Sequence, residues 1–165
     1  KYTKKHSLQK NVNQEDLIKT LDTLTEQLKP SFLKSVTGIF SSKKPKAMFI
    51  MAHSPQQIMV AGDSTSAHAI MNYLHLDNAF KMVDGYKPLT PESVIASQAD
   101  IILLTDQGLQ AQGGMKEILR LPGVMKTPAA RYRQIYSREA NHLLGFGPRL
   151  PSMLYSLARE IHSIK

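Results

Sequence analysis

No cysteine occurs among the 165 residues, which excludes disulfides, thiolate metal sites and a cysteine nucleophile. The compartment stays open, because larger exported domains often fold without disulfides. No run approaches the roughly 18 consecutive apolar residues that a membrane helix requires, so the expectation is a soluble chain that does not span a membrane. Neither G-x-G-x-x-G nor G-x-x-x-x-G-K-[ST] is present. Gly113-Gly114 and Gly145-x-Gly147 lack the spacing of a phosphate loop, and nucleotide binding is unsupported. A G-x-S-x-G elbow is missing too. A hydrolase assembled from Ser64, Asp63 and His53 therefore has no motif behind it, and Ser64 sits where a helix cap is expected. No catalytic residue is assigned. There is no internal repeat and no low-complexity segment, and Lys1 stands where a nascent chain has Met, with no signal-peptide pattern ahead of the fold. That absence predicts an upstream segment already removed.

What is present fits one globular unit. Hydrophobic residues make up 42%, charged residues 21%, and the mean hydropathy is −0.25, all ordinary for a folded domain. The net charge of +8 raises a nucleic-acid or anionic-membrane reading. Its distribution argues against that. Residues 1–46 hold ten lysines and four acids, leaving eleven cations against nine acids in the rest, so the body is nearly neutral. A basic nucleic-acid-binding fragment would have to work through the lysines of residues 1–46.

The first twelve residues are polar, basic and aperiodic, and read as an arm. Leu17, Leu21, Leu24 and Leu28 then mark an amphipathic helix, interrupted at Pro30 and continued by Phe32, Leu33, Val36, Ile39 and Phe40 up to the breaker run Ser41–Pro45. From there short apolar runs alternate with amphipathic stretches, the pattern of an α/β fold with a mainly parallel sheet flanked by helices. Residues 47–52 (AMFIMA) and 101–105 (IILLT) are continuously apolar, as buried strands are, and 133–137 (RQIYS) is a weaker third. Helices are predicted through Ala67, Ile70, Met71 and Leu74 behind an Asp63 cap, from Thr90-Pro91 through Ile95, through Met115, Ile118 and Leu119, and from Met153 to Ile161.

In such a sheet ligands bind outside the carboxyl ends of the strands, which directs attention to His53-Ser54-Pro55, to Asp106-Gln107-Gly108 and to Leu144–Arg149. Three parallel strands would bring these to one edge. A loop imidazole at His53 is either an axial ligand for a metal or haem iron, or a solvated side chain. His68 and His75, seven apart on one predicted helix, are separated by about 10 Å along its axis and are expected as surface histidines. Arg149 follows two glycines and a proline, so it is either a guanidinium fork held for a carboxylate or a plain surface charge. Tyr86, in Asp84-Gly85-Tyr86-Lys87-Pro88, is a turn residue or a phenol at a site's edge. The eight methionines, Met48, Met51, Met71 and Met153 among them, fall mostly at core spacing and are read as packing.

Taken in order, KAMFIMA, MVAGDSTSAHAIM (59–71), DNAF (77–80), DGYKPLTPESVIA (84–96), ADIILLTDQGL (99–109), LPGV (121–124), TPAAR (127–131) and LLGFGPRLP (143–151) resemble the C-terminal lobe of bacterial periplasmic haem-binding proteins. These are the substrate-binding components of ABC haem importers, of the class whose two lobes are joined by a long helix. The resemblance covers roughly three-quarters of the chain. It implies an arm over 1–12, the inter-lobe helix over 13–42 and one ligand-binding lobe over 44–165, with an N-terminal lobe, and the iron-ligating tyrosine that belongs to it, lying elsewhere. It further implies a non-enzymatic periplasmic carrier with an ABC permease as partner and haem as transported ligand. His53 would be a candidate axial ligand on a cleft-facing loop, Arg149 would pair a propionate, and Tyr86 would stand at the site's margin. Glu92 and Glu117, near exposed helix starts, are candidate docking points. A ferric siderophore or a corrinoid is the alternative cargo within the same class.

Overall fold

The computed structural model describes residues 44–163; the arm over 1–12 and the inter-lobe helix over 13–42 lie outside them. The chain runs through β1 (Lys46–Ser54), β2 (Gln57–Ala61), α1 (Ser66–Tyr73), β3 (Asp77–Asn78), β4 (Tyr86–Pro88) and α2 (Pro91–Ser97). It continues through β5 (Ile101–Thr105), α3 (Asp106–Ala111), α4 (Met115–Arg120), a 3-10 turn (Val124–Lys126), α5 (Pro128–Arg131), β6 (Ile135–Arg138), α6 (Ala140–Leu144) and α7 (Leu150–Ser163).

β1 and β5 form the centre of one sheet with strand order β4-β2-β1-β5-β6. They pair in parallel, Ala47 with Ile101 through Ile50 with Leu104, and β6 continues the parallel sense with Ile135 opposite Ile102. Their continuous apolar sequence follows from this position. β5 is buried at every residue, since a central parallel strand has protein on both faces. Met48, Ile50, Val60, Ile102 and Leu104 point to one face and pack there with Val94, Ile118, Val124 and Ala129. Phe49 and Leu103, one residue out of step, are equally buried and serve the opposite face. Each fully buried aliphatic or aromatic side chain contributes roughly 1.5–3 kcal/mol, so this two-sided centre dominates the lobe's stability.

The sheet is mixed rather than wholly parallel. β1 does not leave the sheet after Ala52. It continues to Ser54 and turns through Pro55-Gln56 into antiparallel β2, with Ser54 opposite Gln57. β4 then pairs antiparallel with β2, and β3 adds a two-residue parallel pairing at Lys46 and Ala47. The run 47–52, read from sequence as a strand leading into a loop, is thus the first arm of a hairpin whose second arm the sequence reading left unassigned, and the weak third strand starts at Ile135 rather than Arg133.

Helix starts follow local chemistry. Thr90 caps α2 by accepting from Ser93 N–H while the Ser93 hydroxyl takes the Thr90 amide, with Pro91 in the first turn, as the sequence predicts. At α1 the expected cap is wrong: Thr65, not Asp63, accepts the amide of His68. Asp63 instead accepts from the amide of Ser64, whose φ of 58° turns the chain. His68 is not a plain surface histidine either. Asn78 uses its carbonyl oxygen on the Phe80 amide, so its Nδ2 donates to Ala61 O and to His68 Nδ1, each at 3.1 Å. His75 lies past the end of α1 with φ 57°, off the helical face assigned to it. Of the methionines, Met48 and Met71 are fully buried, whereas Met82 and Met125 are exposed; the packing role holds for part of the set.

Gly62 carries a sharp steric constraint. A Cβ there would stand 2.0 Å from Val83 O, because the 62–63 and 83–85 backbones are hydrogen-bonded together by Gly62 N–H to Gly85 O and Asp63 N–H to Val83 O. Gly62→Ala is expected to destabilise the lobe by about 1–3 kcal/mol through forced separation of these segments, read as a lower urea midpoint. A midpoint within error of the parent would refute this close approach.

His162 on α7 donates through Nε2–H to Leu74 O at 3.0 Å. Burial holds its pKa below the ordinary imidazole value, partly offset by that bond, and His75 is lowered by burial, by Lys44 and by His162. The unfolded chain therefore binds protons near pH 6.5 that the folded chain binds only at lower pH, and stability falls as the pH drops from about 7 to 5. In His162→Gln, which keeps a donor for Leu74, the slope of urea midpoint against pH over that window should be shallower. An unchanged slope would remove His162 from the account.

Candidate functional site

The parallel sense of β1, β5 and β6 brings their carboxyl ends to one edge, as the sequence reading required. His53 is on this edge but not on a loop. It is the extra residue of a β-bulge, since the register advances from Ala52 opposite Ile58 to Ser54 opposite Gln57. A bulge breaks the alternation of side chains and re-aims one of them; here it leaves His53 exposed next to buried Ala52. Below it Met51 and Met59 face each other across the ladder, both half-buried, and form an apolar step.

The end of β5 passes directly into α3. Thr105 caps it on the Gly108 amide, and a Cβ on Gly108 would come within 3.3 Å of Ala52 O, so α3 lies close over the end of β1. Gln112, buried at the end of α3, donates to Ser54 O at 2.8 Å, which ties the hairpin carrying His53 to the helix. At the other end of α3, Gln107 Nε2 donates to Glu139 Oε1 at 3.1 Å while its Oε1 accepts the Ala140 amide at 3.0 Å. Asp106 accepts from the Ser137 hydroxyl at 2.5 Å. The three strand ends are thereby cross-linked by polar side chains.

Glu139 caps α6, accepting the amides of Asn141 and His142. Its carboxyl is held below the usual range, first by the Asn141 amide and then by Gln107 and the His142 amide, against some burial. His142 Nδ1 is 3.6 Å from Glu139 Oε2, and Arg149 Nη1 is 3.3 Å from His142 Nε2. A guanidinium only donates, so this contact is a hydrogen bond when Nε2 of His142 is the acceptor, which is the ring tautomer protonated on Nδ1. Between α6 and α7 the chain reverses at Gly145-Phe146-Gly147. Gly145 is required there, since a Cβ would meet Asn141 O at 2.2 Å, and Phe146 takes a left-handed φ of 48°, a costly conformation for a bulky residue. This reversal returns Arg149 to the edge, where it is exposed.

Tyr86 is not gathered with them. It begins β4 opposite Ala61, level with Phe49 by the β1–β2 register, two strands across and four residues below His53. Ladder spacings put their backbones about 16 Å apart, too far for one metal but within the span of a porphyrin-sized ligand. Ser64 and Asp63 lie beyond the far end of β2, more than about 13 Å from His53, so the hydrolase constellation does not assemble. Among the described residues no three His, Asp or Glu side chains converge on a possible metal position, and no helix is long and apolar enough to cross a membrane. Glu92 is exposed in the first turn of α2, whereas Glu117 is paired with Arg120 at 2.6 Å. Sequence reasoning missed Glu139 and His142, and named the segment of Gln107 without its bracing role. Glu139 three residues ahead of His142, at a helix start, was the available signal.

Known proteins share this fold. The family model for periplasmic binding proteins matches residues 21–141. An ABC transporter substrate-binding lipoprotein of Bacillus subtilis (strain 168), named YvrC and uncharacterised, is 26% identical over 147 residues, covering 87% of this chain and 45% of the relative. Among solved structures, the periplasmic heme-binding protein BhuT in complex with two hemes is 36% identical with a TM-score of 0.74, covering 90% of this chain and 55% of that one. The apo periplasmic heme-binding protein RhuT from Roseiflexus sp. RS-1 is 29% identical with a TM-score of 0.74, covering 86% and 55%. The chain thus spans about half the length of these relatives. With its mainly parallel sheet, its helical layers and a family match over most of its length, the chain belongs to the periplasmic binding protein family.

Proposed function

We propose that this chain contributes one wall of a haem-binding cleft in a periplasmic carrier that delivers haem to an ABC-type inner-membrane permease. The observation that carries the reading is the edge itself: an exposed imidazole on a bulge and an exposed guanidinium at a cross-braced sheet end, in a chain 36% identical to a protein solved with two hemes. An iron porphyrin asks for an axial donor, an apolar surface and a cation for each propionate. His53 supplies the donor, Met51 and Met59 the apolar step, and Arg149 the cation, with Tyr86 toward the far rim. The work is binding rather than catalysis, as in the substrate-binding relatives.

The test is a titration of the chain with ferric haem, followed through the Soret band in the presence of a mild competitor. A saturable shift is expected, abolished in His53→Ala and weakened about tenfold in Arg149→Ala, the scale of one charge-assisted hydrogen bond. Identical spectra for parent and His53→Ala would remove the axial role. Uptake of a ferric siderophore or a corrinoid in preference to haem would overturn the cargo.

A further inference from the structure

We propose that Glu139 and His142 are positioning residues that preset the Arg149 guanidinium as a receptor for a ligand carboxylate, an inference that rests on the edge being the ligand site. The geometry has three parts. Glu139 is immobilised before it meets His142, by two backbone amides and by Gln107, whose own amide oxygen is held by Ala140 N–H. Its negative charge lies 3.6 Å from His142 Nδ1 and favours the proton on that nitrogen. Nε2 is then a bare lone pair, and it receives one N–H of Arg149 at 3.3 Å.

The interposed imidazole has a consequence that a direct ion pair would not. A carboxylate touching Arg149 would occupy its fork and neutralise it. Among the described residues Arg149 forms no ion pair with a carboxylate, whereas Lys81, Arg120 and Arg138 each do. A neutral imidazole instead takes one Nη1 proton and leaves the Nε and Nη2 protons, a parallel pair matched to a carboxylate's two oxygens. An exposed arginine otherwise samples many rotamers, and a tether at one nitrogen removes part of that freedom before the ligand arrives. The strained reversal at Phe146 is what brings the seven-residue separation between His142 and Arg149 into contact.

Two measurements test this. The first needs no ligand: imidazole nitrogen spectra of 15N-histidine-labelled chain above pH 8, where imidazoles are neutral. His142 is expected as the Nδ1–H tautomer, in contrast to His68, whose Nδ1 accepts from Asn78. Arg149→Ala should move His142 toward the Nε2–H form that free histidine prefers. An Nε2–H signal for His142 in the parent overturns the tether.

The second compares ferric haem with its dimethyl ester, which lacks carboxylates. The parent should prefer the acid by about tenfold or more, and Arg149→Ala and His142→Phe should each erase that preference, with the double variant losing nothing further. His142→Gln, which offers an acceptor to the guanidinium, should retain most of it. Independent losses that multiply in the double variant, or a preference untouched in both His142 variants, overturn the positioning role. A parent that binds acid and ester alike while His142 keeps its Nδ1–H form separates the two ideas. The tether would stand and the carboxylate role of Arg149 would fall, while the haem reading would still rest on the His53-dependent Soret shift; absence of saturable binding of either compound would instead remove the haem reading.

Discussion

The parallel pairing of β1 with β5 is the constraint from which the rest of the lobe follows. Four consecutive residue pairs, from Ala47 with Ile101 to Ile50 with Leu104, sit with protein on both faces, and all eight of these residues are buried. Their sense decides which end of the sheet collects loops. With β6 joining in the same direction, Ser54, Thr105 and Arg138 emerge on one side, and α3 and α6 start directly from the last two. The amino end is closed in turn by Asp100, whose carboxylate takes the Lys46 amide, and by β3 against Lys46 and Ala47. The strand ends and the helix starts that follow them share one side of the sheet because these two strands run together.

How much of this was legible in the sequence depends on the range of the deciding interaction. β1 and β5 could be read because continuous burial demands continuous apolar residues, and α2 because its cap is spelled within four residues, Thr90-Pro91-Glu92-Ser93. The hairpin could not. Gln57–Ala61 is too short to show a period, and Pro55-Gln56 is not among the pairs that announce a two-residue turn. Missing it placed His53 on a loop, when pairing with β2 holds it in a strand and a bulge exposes it. The cap of α1 failed for a different reason: Asp63 and Thr65 are both good caps, and the choice belongs to Gly62 and Val83, which fix where the chain turns.

The candidate site divides in the same way. The segments of His53 and Arg149 were singled out by the strand-end rule, but the side chains that brace that end of the sheet were invisible in the sequence. Gln107 and Glu139 are 32 positions apart and Gln112 and Ser54 58 apart, contacts that exist only once β5 and β6 have paired and α3 has folded over β1. Of the two readings left open for Tyr86, the turn residue is the one the structure removes. Its segment reads as a turn, while the structure makes it the first residue of β4, at mid-height on the sheet.

These supports say something about what the edge is built to do. His53 and Arg149 are exposed, and the firmly held group behind them is Glu139, pinned by Gln107 and by two backbone amides. The polar cross-links join strand ends to helix starts and leave the outward donors unspent. The bracing side chains Gln107, Gln112 and Glu139 are ordered on folding, so their ordering entropy would not be charged to a ligand's binding. Affinity then has to come from apolar cover on the ligand's faces, of which Met51 and Met59 offer one step. A flat ligand laid on this edge keeps its other face open to water, and tight binding requires a second surface to close over it.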